Sequence, residues 1–182
     1  MYLTSTLNYL KRTNRLFSIL KFNTPPNSVI GKLYEEKCQK VVNEAFETPV
    51  ALVGGANDGG VDLRWNKIVG SDKTVNFIGQ CKYRDGKRIQ PDVVRALEGS
   101  VSAHPLKTVG VLLTNRRPSI ESLKTLNESV YPMMYLNIKE SQCCKYVYEV
   151  LMNNKLKTTF PEIKILECRT PDSGVFFKLK FK

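Results

Sequence analysis

Two short segments decide the fold of this chain: residues 54–63, GGANDGGVDL, and residues 79–83, GQCKY. The first is a glycine-rich loop that runs into an extended segment, and the second lies in an alternating apolar run typical of a β-strand. Period-two alternation places Gln80 and Lys82 on one face of their strand. Antiparallel pairing of the two strands in a suitable register would bring Asp62 beside them. The sequence therefore predicts a carboxylate, an amide and an ammonium group at one sheet edge.

A helix is predicted from Ser28 to Phe46, with its apolar residues at helical spacing. Glu35 falls at the edge of its buried face, where a carboxylate is costly unless it is paired or binds a cation. Glu35 and Asp62 are oxygen ligands of the kind that a hard divalent cation prefers. Such a cation activates water and stabilises charge on phosphate, and Lys82 could orient the water or neutralise that charge. The set fits phosphodiester hydrolysis, although Asp62 could instead cap the glycine turn while Lys82 is a solvated strand lysine.

Strands and helices alternate along the chain, which predicts an α/β domain with a mixed sheet. The predicted helices are residues 28–46, 91–99 (closed by Gly99), 118–130 and 141–151, the last with Cys143 and Cys144 packed inside. The predicted strands are residues 49–53, 61–65 (with Val61, Leu63 and Trp65 on one face), 75–83, 109–114 and 131–138, and residues 66–73 form a hairpin-like connection. Residues 163–166 and 175–179 flank a turn at 171–174, which predicts a terminal hairpin with lysines suited to an exposed edge.

Composition excludes several classes of protein. The 182 residues are 42% hydrophobic and 25% charged, which is typical of one globular domain with its own core. Lys and Arg number 28 against 17 acidic residues, and the net charge of +11 favours a nucleic acid or an anionic membrane surface as partner.

The apolar run at residues 109–113 is far short of the roughly 20 residues that span a bilayer. Five cysteines without a CxxC pair, and His104 alone as imidazole, disfavour structural zinc and predict free thiols.

The N-terminus has the composition of a mitochondrial import presequence. Residues 1–34 contain five cations, several hydroxyls, a loosely helical apolar stripe and no acidic residue. We expect residues 1 to about 24 to direct import and to be removed, with Pro25-Pro26 as a linker. The predicted organisation is a presequence and linker at 1–27, a domain at 28–152 and a hairpin extension packed on the domain at 153–182. A retained amphipathic helix or a basic tail is the alternative for the first segment.

The motifs resemble those of the Mrr-like endonucleases, which belong to the PD-(D/E)xK or restriction-endonuclease-like superfamily. The similarity covers residues 31–138, and with its presequence-like start the whole chain resembles the fungal mitochondrial "required for respiratory growth" proteins of that superfamily. The quoted matches are the following segments: GxxYE at 31–35, GGANDGGVDL at 54–63, GQCKY at 79–83, VVRALEG at 93–99 and VGVLLTN at 109–115.

The resemblance implies a three-layer α/β/α restriction-endonuclease-like fold with a central mixed sheet. It also implies an endodeoxyribonuclease that depends on Mg²⁺ or Mn²⁺ and acts in mitochondrial genome maintenance or respiratory growth. Asp62 would be the metal aspartate, Gln80 would stand at the D/E position as in the QxK branch, and Lys82 would be the motif lysine. Glu35 would be the acid of the first helix. The implied metal ligands are Asp62, Gln80, Cys81 and Glu35.

Basic residues follow the predicted site on two loops, where they are plausible contacts to a nucleic-acid backbone. These residues are Arg84, Lys87, Arg88, Arg116 and Arg117. The sequence leaves open DNA or RNA as the nucleic acid, endonuclease or exonuclease action, and a homodimer. Two other classes also stay open: a mitochondrial nucleic-acid-binding or assembly protein without catalysis, and a peripheral membrane protein held by its basic N-terminus.

Overall fold

Eight strands and four helices make up the part of the chain that the computed structural model describes, residues 25–55, 58–139, 147–169 and 175–182. The helices are α1 (Asn27–Phe46), α2 (Pro91–Ser102), α3 (Ile120–Glu128) and α4 (Asn154–Thr159). The strands are β1 (Ala51–Leu52), β2 (Leu63–Val69), β3 (Lys73–Lys82), β4 (Thr108–Thr114), β5 (Met133–Asn137), β6 (Glu149–Met152), β7 (Ile163–Arg169) and β8 (Val175–Phe181). The chain divides into two units, Met1–Ile30 and Gly31–Lys182, and the sheet belongs to the second. The predicted presequence at residues 1–24 lies outside the described residues.

The central sheet has the strand order β1-β2-β3-β4-β5-β6, antiparallel at both sides and parallel in the middle. β2 and β3 form a hairpin in which Leu63 pairs with Gly79 and Val69 pairs with Lys73, around a turn where Gly70 has a φ of +69°. β3, β4 and β5 run parallel, with α2 and α3 as the crossover connections that parallel strands need. The carboxyl ends of these three strands therefore share one edge, and the first residues of β2 lie at that edge too.

Helix α1 covers one face of the sheet. Its buried residues Tyr34, Cys38 and Phe46 pack in one core cluster with Trp65 and Phe77 of the hairpin. Trp65 and Phe77 stack with ring centroids 5.2 Å apart, and Phe46 meets both rings edge-on. Aromatic pairs in these geometries add about 0.5–1.5 kcal/mol each beyond the burial of their area. This cluster anchors the helix that carries Glu35.

Helix α2 covers the opposite face through a second core cluster. Val94 and Leu97 of the helix pack there with Ile78 and Leu112 of the sheet. The helix lies so close to β4 that a Cβ at Gly110 would be 2.5 Å from Val101 Cγ2. Helices on both faces of a mixed sheet confirm the α/β class that the sequence pattern predicts and the three-layer α/β/α arrangement that the resemblance implies.

The helix predicted at residues 141–151 is wrong in its last part, because Glu149–Met152 is strand β6 and pairs antiparallel with β5. A short apolar run does not distinguish a helix from a strand, and here the open side of β5 offers main-chain hydrogen bonds. Cys143 and Cys144 lie outside the described residues. The described cysteines, Cys38, Cys81 and Cys168, are free thiols as predicted.

Tertiary packing overrides other local signals. Helix α2 continues past Gly99 to Ser102, because Val101 is buried in the core and open space surrounds Gly99. β2 continues through the predicted connection to the buried Val69. Val61 was expected on the face of Leu63, but it packs in the α2-side cluster while Leu63 packs on the α1 side. Further differences include an edge strand reduced to Ala51–Leu52, a third helix limited to Ile120–Glu128, a fifth strand limited to Met133–Asn137, and helix α4, which the pattern does not predict.

The terminal hairpin predicted around residues 171–174 is confirmed in its strands. β7 and β8 pair antiparallel from Ile163 with Phe181 to Arg169 with Val175. Ile163 and Leu179 are buried in the α1-side cluster, and Phe181 packs near Phe46 with ring centroids 5.5 Å apart. The turn itself lies outside the described residues.

Candidate functional site

Two carboxylates from different elements meet at the edge where β2 begins. Glu35 is on α1, and Asp62 directly precedes β2. A Cβ built on Gly54 would lie 3.3 Å from Asp62 Oδ1 and 3.4 Å from Glu35 Oε2. The glycine at position 54 therefore leaves open the space between the two acids. This is the Glu35–Asp62 pair that the sequence proposes.

Asp62 is held by the main chain of the neighbouring strand. The Cys81 N–H donates to Asp62 Oδ2 at 2.6 Å, and the Asp62 N–H donates to the Gly79 carbonyl at 2.8 Å. The regular pairing of β2 with β3 stops at Leu63, and the Asp62 carboxylate contacts β3 through the Cys81 main chain. A carboxylate that accepts a main-chain N–H is fixed in orientation, as a ligand or a base must be.

The two acids sit in a site that disfavours their negative charge. Burial, followed by the nearby Asp62 and Asp58 carboxylates, raises the pKa of Glu35. Burial and Asp58 also raise the pKa of Asp62, while the Cys81 N–H and the Lys82 ammonium group oppose that rise. A bound cation would stabilise the ionised form of both carboxylates.

The glycine loop is closed by Asp58, a residue that the sequence interpretation passed over. Asp58 accepts the Gly55 N–H at 2.8 Å through Oδ2 and the Gly60 N–H at 2.7 Å through Oδ1. Ala56 and Asn57, between these contacts, lie outside the described residues. The sequence offers one indication of this role, because Asp58 lies inside the glycine-rich segment and aspartate readily caps tight turns.

Gln80 is buried against the same loop. It is 8% exposed, and its Nε2 atom would lie 2.9 Å from a Cβ at Gly60, whose φ is +78°. Gln80 Oε1 is buried without a hydrogen-bond partner. Ser100 of α2 donates to the Gly59 carbonyl at 2.6 Å and ties the glycine turn to the helix. A buried amide oxygen without a partner is an available ligand position.

Cys81 and Lys82 differ in what they offer to the site. The Cys81 thiol packs against the α1-side core, where a hydrogen bond with Cys38 and then burial raise its pKa. A protonated thiol is a poor ligand for a hard cation, so any contribution of Cys81 to metal binding would come from its main chain. Lys82 is half-buried at the end of β3.

Two basic loops leave the same sheet edge and are joined to each other. The buried Asn115 accepts the Arg84 N–H at 2.9 Å and donates to the Arg84 carbonyl at 3.0 Å, and Arg116 Nε donates to that carbonyl at 3.1 Å. Ile89 and Pro118 form a further bridge between the loops. Asn115, another residue that the sequence interpretation missed, thus fixes the start of one loop relative to the other.

The five predicted backbone-binding residues all lie on these two loops, and the structure places them differently. Lys87 and Arg88 are exposed, while Arg84 and Arg116 are half-buried. Arg117 forms an ion pair with Glu149 at 3.2 Å. Arg117 is exposed and Glu149 is half-buried, so Arg117 already has a partner within the protein.

The donor set around Glu35 and Asp62 is small but suited to a hard cation. Among residues 25–55, 58–139, 147–169 and 175–182, no group of three or more His, Cys, Asp and Glu side chains converges as a metal site. The two carboxylates of raised pKa are nevertheless oxygen donors that face the same space at Gly54, and Gln80 on β3 has a buried Oε1 without a hydrogen-bond partner. These residues fit a divalent cation that keeps several of its waters.

The fold and this edge define a three-layer α/β/α protein with a carboxylate pair at the edge where β2 begins and a lysine at the end of the neighbouring strand β3. Residues 63–167 match the family described as "Required for respiratory growth protein 7", and the chain belongs to that family. A mitochondrial protein of Schizosaccharomyces pombe, C824.03c, is 32% identical over 171 residues, which are 90% of this chain and 66% of the relative. The chain therefore spans just under two thirds of that relative.

A solved structure also resembles part of the chain. The MspJI restriction endonuclease in complex with a 27-mer oligonucleotide aligns with a TM-score of 0.45 and 21% identity, covering 67% of this chain and 28% of that one. The mitochondrial location predicted from the sequence is confirmed by the family and the fission-yeast relative. Within the described part of the chain, none of the helices has the length and apolar character needed to cross a membrane.

Proposed function

We propose that this protein is a mitochondrial nuclease that hydrolyses phosphodiester bonds of DNA with Mg²⁺ or Mn²⁺, in support of mitochondrial genome maintenance or respiratory growth. The observation that carries the proposal is the convergence of Glu35 and Asp62 around Gly54, with Lys82 next to the Cys81 main chain that holds Asp62. Two carboxylates and a lysine lie at this sheet edge, and basic loops follow it. The carboxylates could bind a cation and the basic groups could contact phosphate, which suits a phosphodiester substrate.

Asp62, Glu35 and Gln80 Oε1, with the main chain of Cys81, would hold the divalent cation. A cation bound there supplies an activated water and stabilises the negative charge that develops on the phosphate. The Cys81 N–H keeps Asp62 oriented, and Lys82 places a positive charge beside the reacting phosphate. The loops that carry Arg84, Lys87, Arg88, Arg116 and Arg117 would bind the sugar–phosphate backbone without reading the bases. Residues 1–27 would serve as presequence and linker.

A second candidate is a nucleic-acid-binding or assembly protein of the same fold that does not cut. It is favoured by Gln80, an uncharged residue at the position where an acid would complete the donor set, and by the lack of a group of three acidic, histidine or cysteine ligands in the described residues.

Purified protein incubated with plasmid DNA and Mg²⁺ or Mn²⁺ separates these functions. We expect nicking that EDTA stops, and a loss of at least about 100-fold in Asp62→Asn and Lys82→Ala, the size of effect that a catalytic electrostatic contact has. Asp62→Asn retains an acceptor for the Cys81 N–H, so the fold should persist. Gln80→Glu should keep or raise the activity because it adds a charged ligand.

Asp72→Asn, an exposed acid in the β2–β3 turn, is the matched control and should cut like the wild type. Wild-type rates in both Asp62→Asn and Lys82→Ala would exclude this site. Binding of DNA without cleavage under either metal would favour the second candidate.

A further inference from the structure

The outer face of the terminal hairpin is a row of lysines. In the antiparallel pairing of β7 with β8, Lys164 lies directly opposite Lys180, and Lys178 lies opposite Leu166. All three lysines are exposed. Ile163 and Leu179, which are neighbours of these lysines along the two strands, are buried in the core. Because side chains alternate between the two faces of a strand, the lysines point away from the core. We define the lysine face as Lys164, Lys178 and Lys180.

This face carries positive charge that no ion pair within the described residues neutralises. Within the described residues, none of these three lysines forms an ion pair. Glu162 and Lys182 lie at the end of the same face, where the Lys182 N–H donates to the Glu162 carbonyl. One oxygen of the Glu162 carboxylate is buried without a hydrogen-bond partner, so this acid is turned inward.

Lysines directly opposite each other on antiparallel strands repel, which destabilises the pairing. A single edge lysine would suffice to protect a strand from unwanted pairing, but three on one face exceed that need. An arrangement that costs stability in the free protein and concentrates positive charge is suited to a polyanion.

We propose that the lysine face is a second contact surface for the phosphate backbone of duplex DNA. The proposal rests on the proposed function, because it takes DNA as the ligand. Charge complementarity favours this occupant over a membrane. An interfacial membrane surface combines basic residues with several apolar side chains that insert, and Leu166, 42% exposed, is the large apolar residue that this face presents. Phe176, on the same face, is half-buried.

The test measures how the affinity for a short fluorescent DNA duplex depends on salt, with EDTA present so that no cleavage occurs. Each phosphate that a lysine neutralises contributes about 0.9 to the slope of log K against log[salt]. Changing Lys164, Lys178 and Lys180 together to Gln should therefore make the slope shallower by about 2–3. Removing the repulsion between facing lysines should leave the thermal midpoint equal or higher, which separates lost binding from lost folding.

The matched control removes three exposed helix lysines that form no ion pair within the described residues, Lys40, Lys155 and Lys157, and it should change the slope little. Equal slopes in the hairpin variant and the wild type would overturn the proposal. So would a hairpin variant that loses binding to anionic phospholipid vesicles while its DNA slope is unchanged. Plasmid cleavage is measured separately with Mg²⁺: a wild-type protein that binds duplex through this face but does not cut contradicts the nuclease function and supports the lysine face.

Discussion

Gly54→Ala tests the space between the two carboxylates. The new methyl group would lie 3.3 Å from Asp62 Oδ1 and 3.4 Å from Glu35 Oε2. Mg²⁺ binds its oxygen ligands at about 2.0–2.1 Å and needs room for coordinated waters. A methyl group at that point would occupy the volume of a coordinated water and displace the cation.

We expect Gly54→Ala to weaken binding of Mg²⁺ or Mn²⁺ at least about 10-fold, which is about 1.4 kcal/mol. The methyl contacts are at ordinary to slightly tight distances, and Gly54 is exposed with no left-handed φ. The fold itself should therefore lose little stability. Titration by isothermal calorimetry, together with the rise in thermal midpoint on adding metal, measures the effect without any need for activity.

Gly55→Ala is the neighbouring control, because a Cβ at Gly55 would meet nothing within 4 Å. It should bind metal like the wild type. Equal metal affinity in Gly54→Ala and Gly55→Ala would refute a cation seat between Glu35 and Asp62. Weakened binding in both variants would point to loop flexibility as the cause.

Three other perturbations follow from the same geometry. Gly60→Ala should push aside the amide of Gln80, which lies 2.9 Å from the new Cβ, and should lower cleavage as well as stability in a plasmid assay and a thermal melt. Gly110→Ala should cost about 1–3 kcal/mol by overpacking helix α2, seen as a lower midpoint in urea unfolding. Burial and nearby carboxylates raise the pKa values of Glu35 and its neighbour Asp62, so the folded state binds protons more tightly than the unfolded state does. The stability of the fold should therefore fall as the pH rises above about 4 and through these raised pKa values. Glu35→Gln should flatten this dependence in melts from acidic to neutral pH and add about 0.5 kcal/mol at pH 7, a small value since solvent screens the site.

Matched variants separate the causes in these experiments. Gly59→Ala also places a side chain at a positive φ, +64°, but its Cβ meets nothing within 4 Å. Equal activity in Gly59→Ala and Gly60→Ala would show that displacement of Gln80 does not cause the loss of cleavage. Gly99→Ala places a methyl group in open space on α2 and should stabilise the helix by about 0.5–1 kcal/mol. If Gly110→Ala proved equally harmless, the close helix–sheet contact would be refuted. A pH dependence unchanged in Glu35→Gln would exclude that acid as its source.

The sequence predicts the layers of this fold because each core face repeats a simple period. The alternation around Phe77 and the unbroken apolar run of β4 require only local information. The Glu35–Asp62 pair was also within reach, since a carboxylate at the edge of a buried helix face indicates a partner. Residues 63–167, which match the family, contain the alternation around Phe77 and the run of β4, whereas Glu35 and Asp62 precede that match.

Other features depend on contacts between segments far apart in the chain. Asp58, Ser100 and Asn115 act by hydrogen bonds to main-chain groups, and no periodicity reports such bonds. Val61 shifts to the α2 side because the β2–β3 ladder ends at Leu63, a break that two-residue alternation does not anticipate. β6 is a strand because β5 has an unpaired edge, which is a property of the assembled sheet.

The bond from the Cys81 N–H to Asp62 has a spectroscopic consequence. The amide nitrogen of Cys81 lies 2.6 Å from Oδ2 of Asp62, a carboxylate that a proton or a cation would neutralise. A hydrogen bond to an ionised acceptor is stronger than one to a neutral acceptor, so the resonance of this single amide should report the charge state of Asp62. Nitrogen-15 labelling of cysteine would give a signal from inside the site in the absence of substrate.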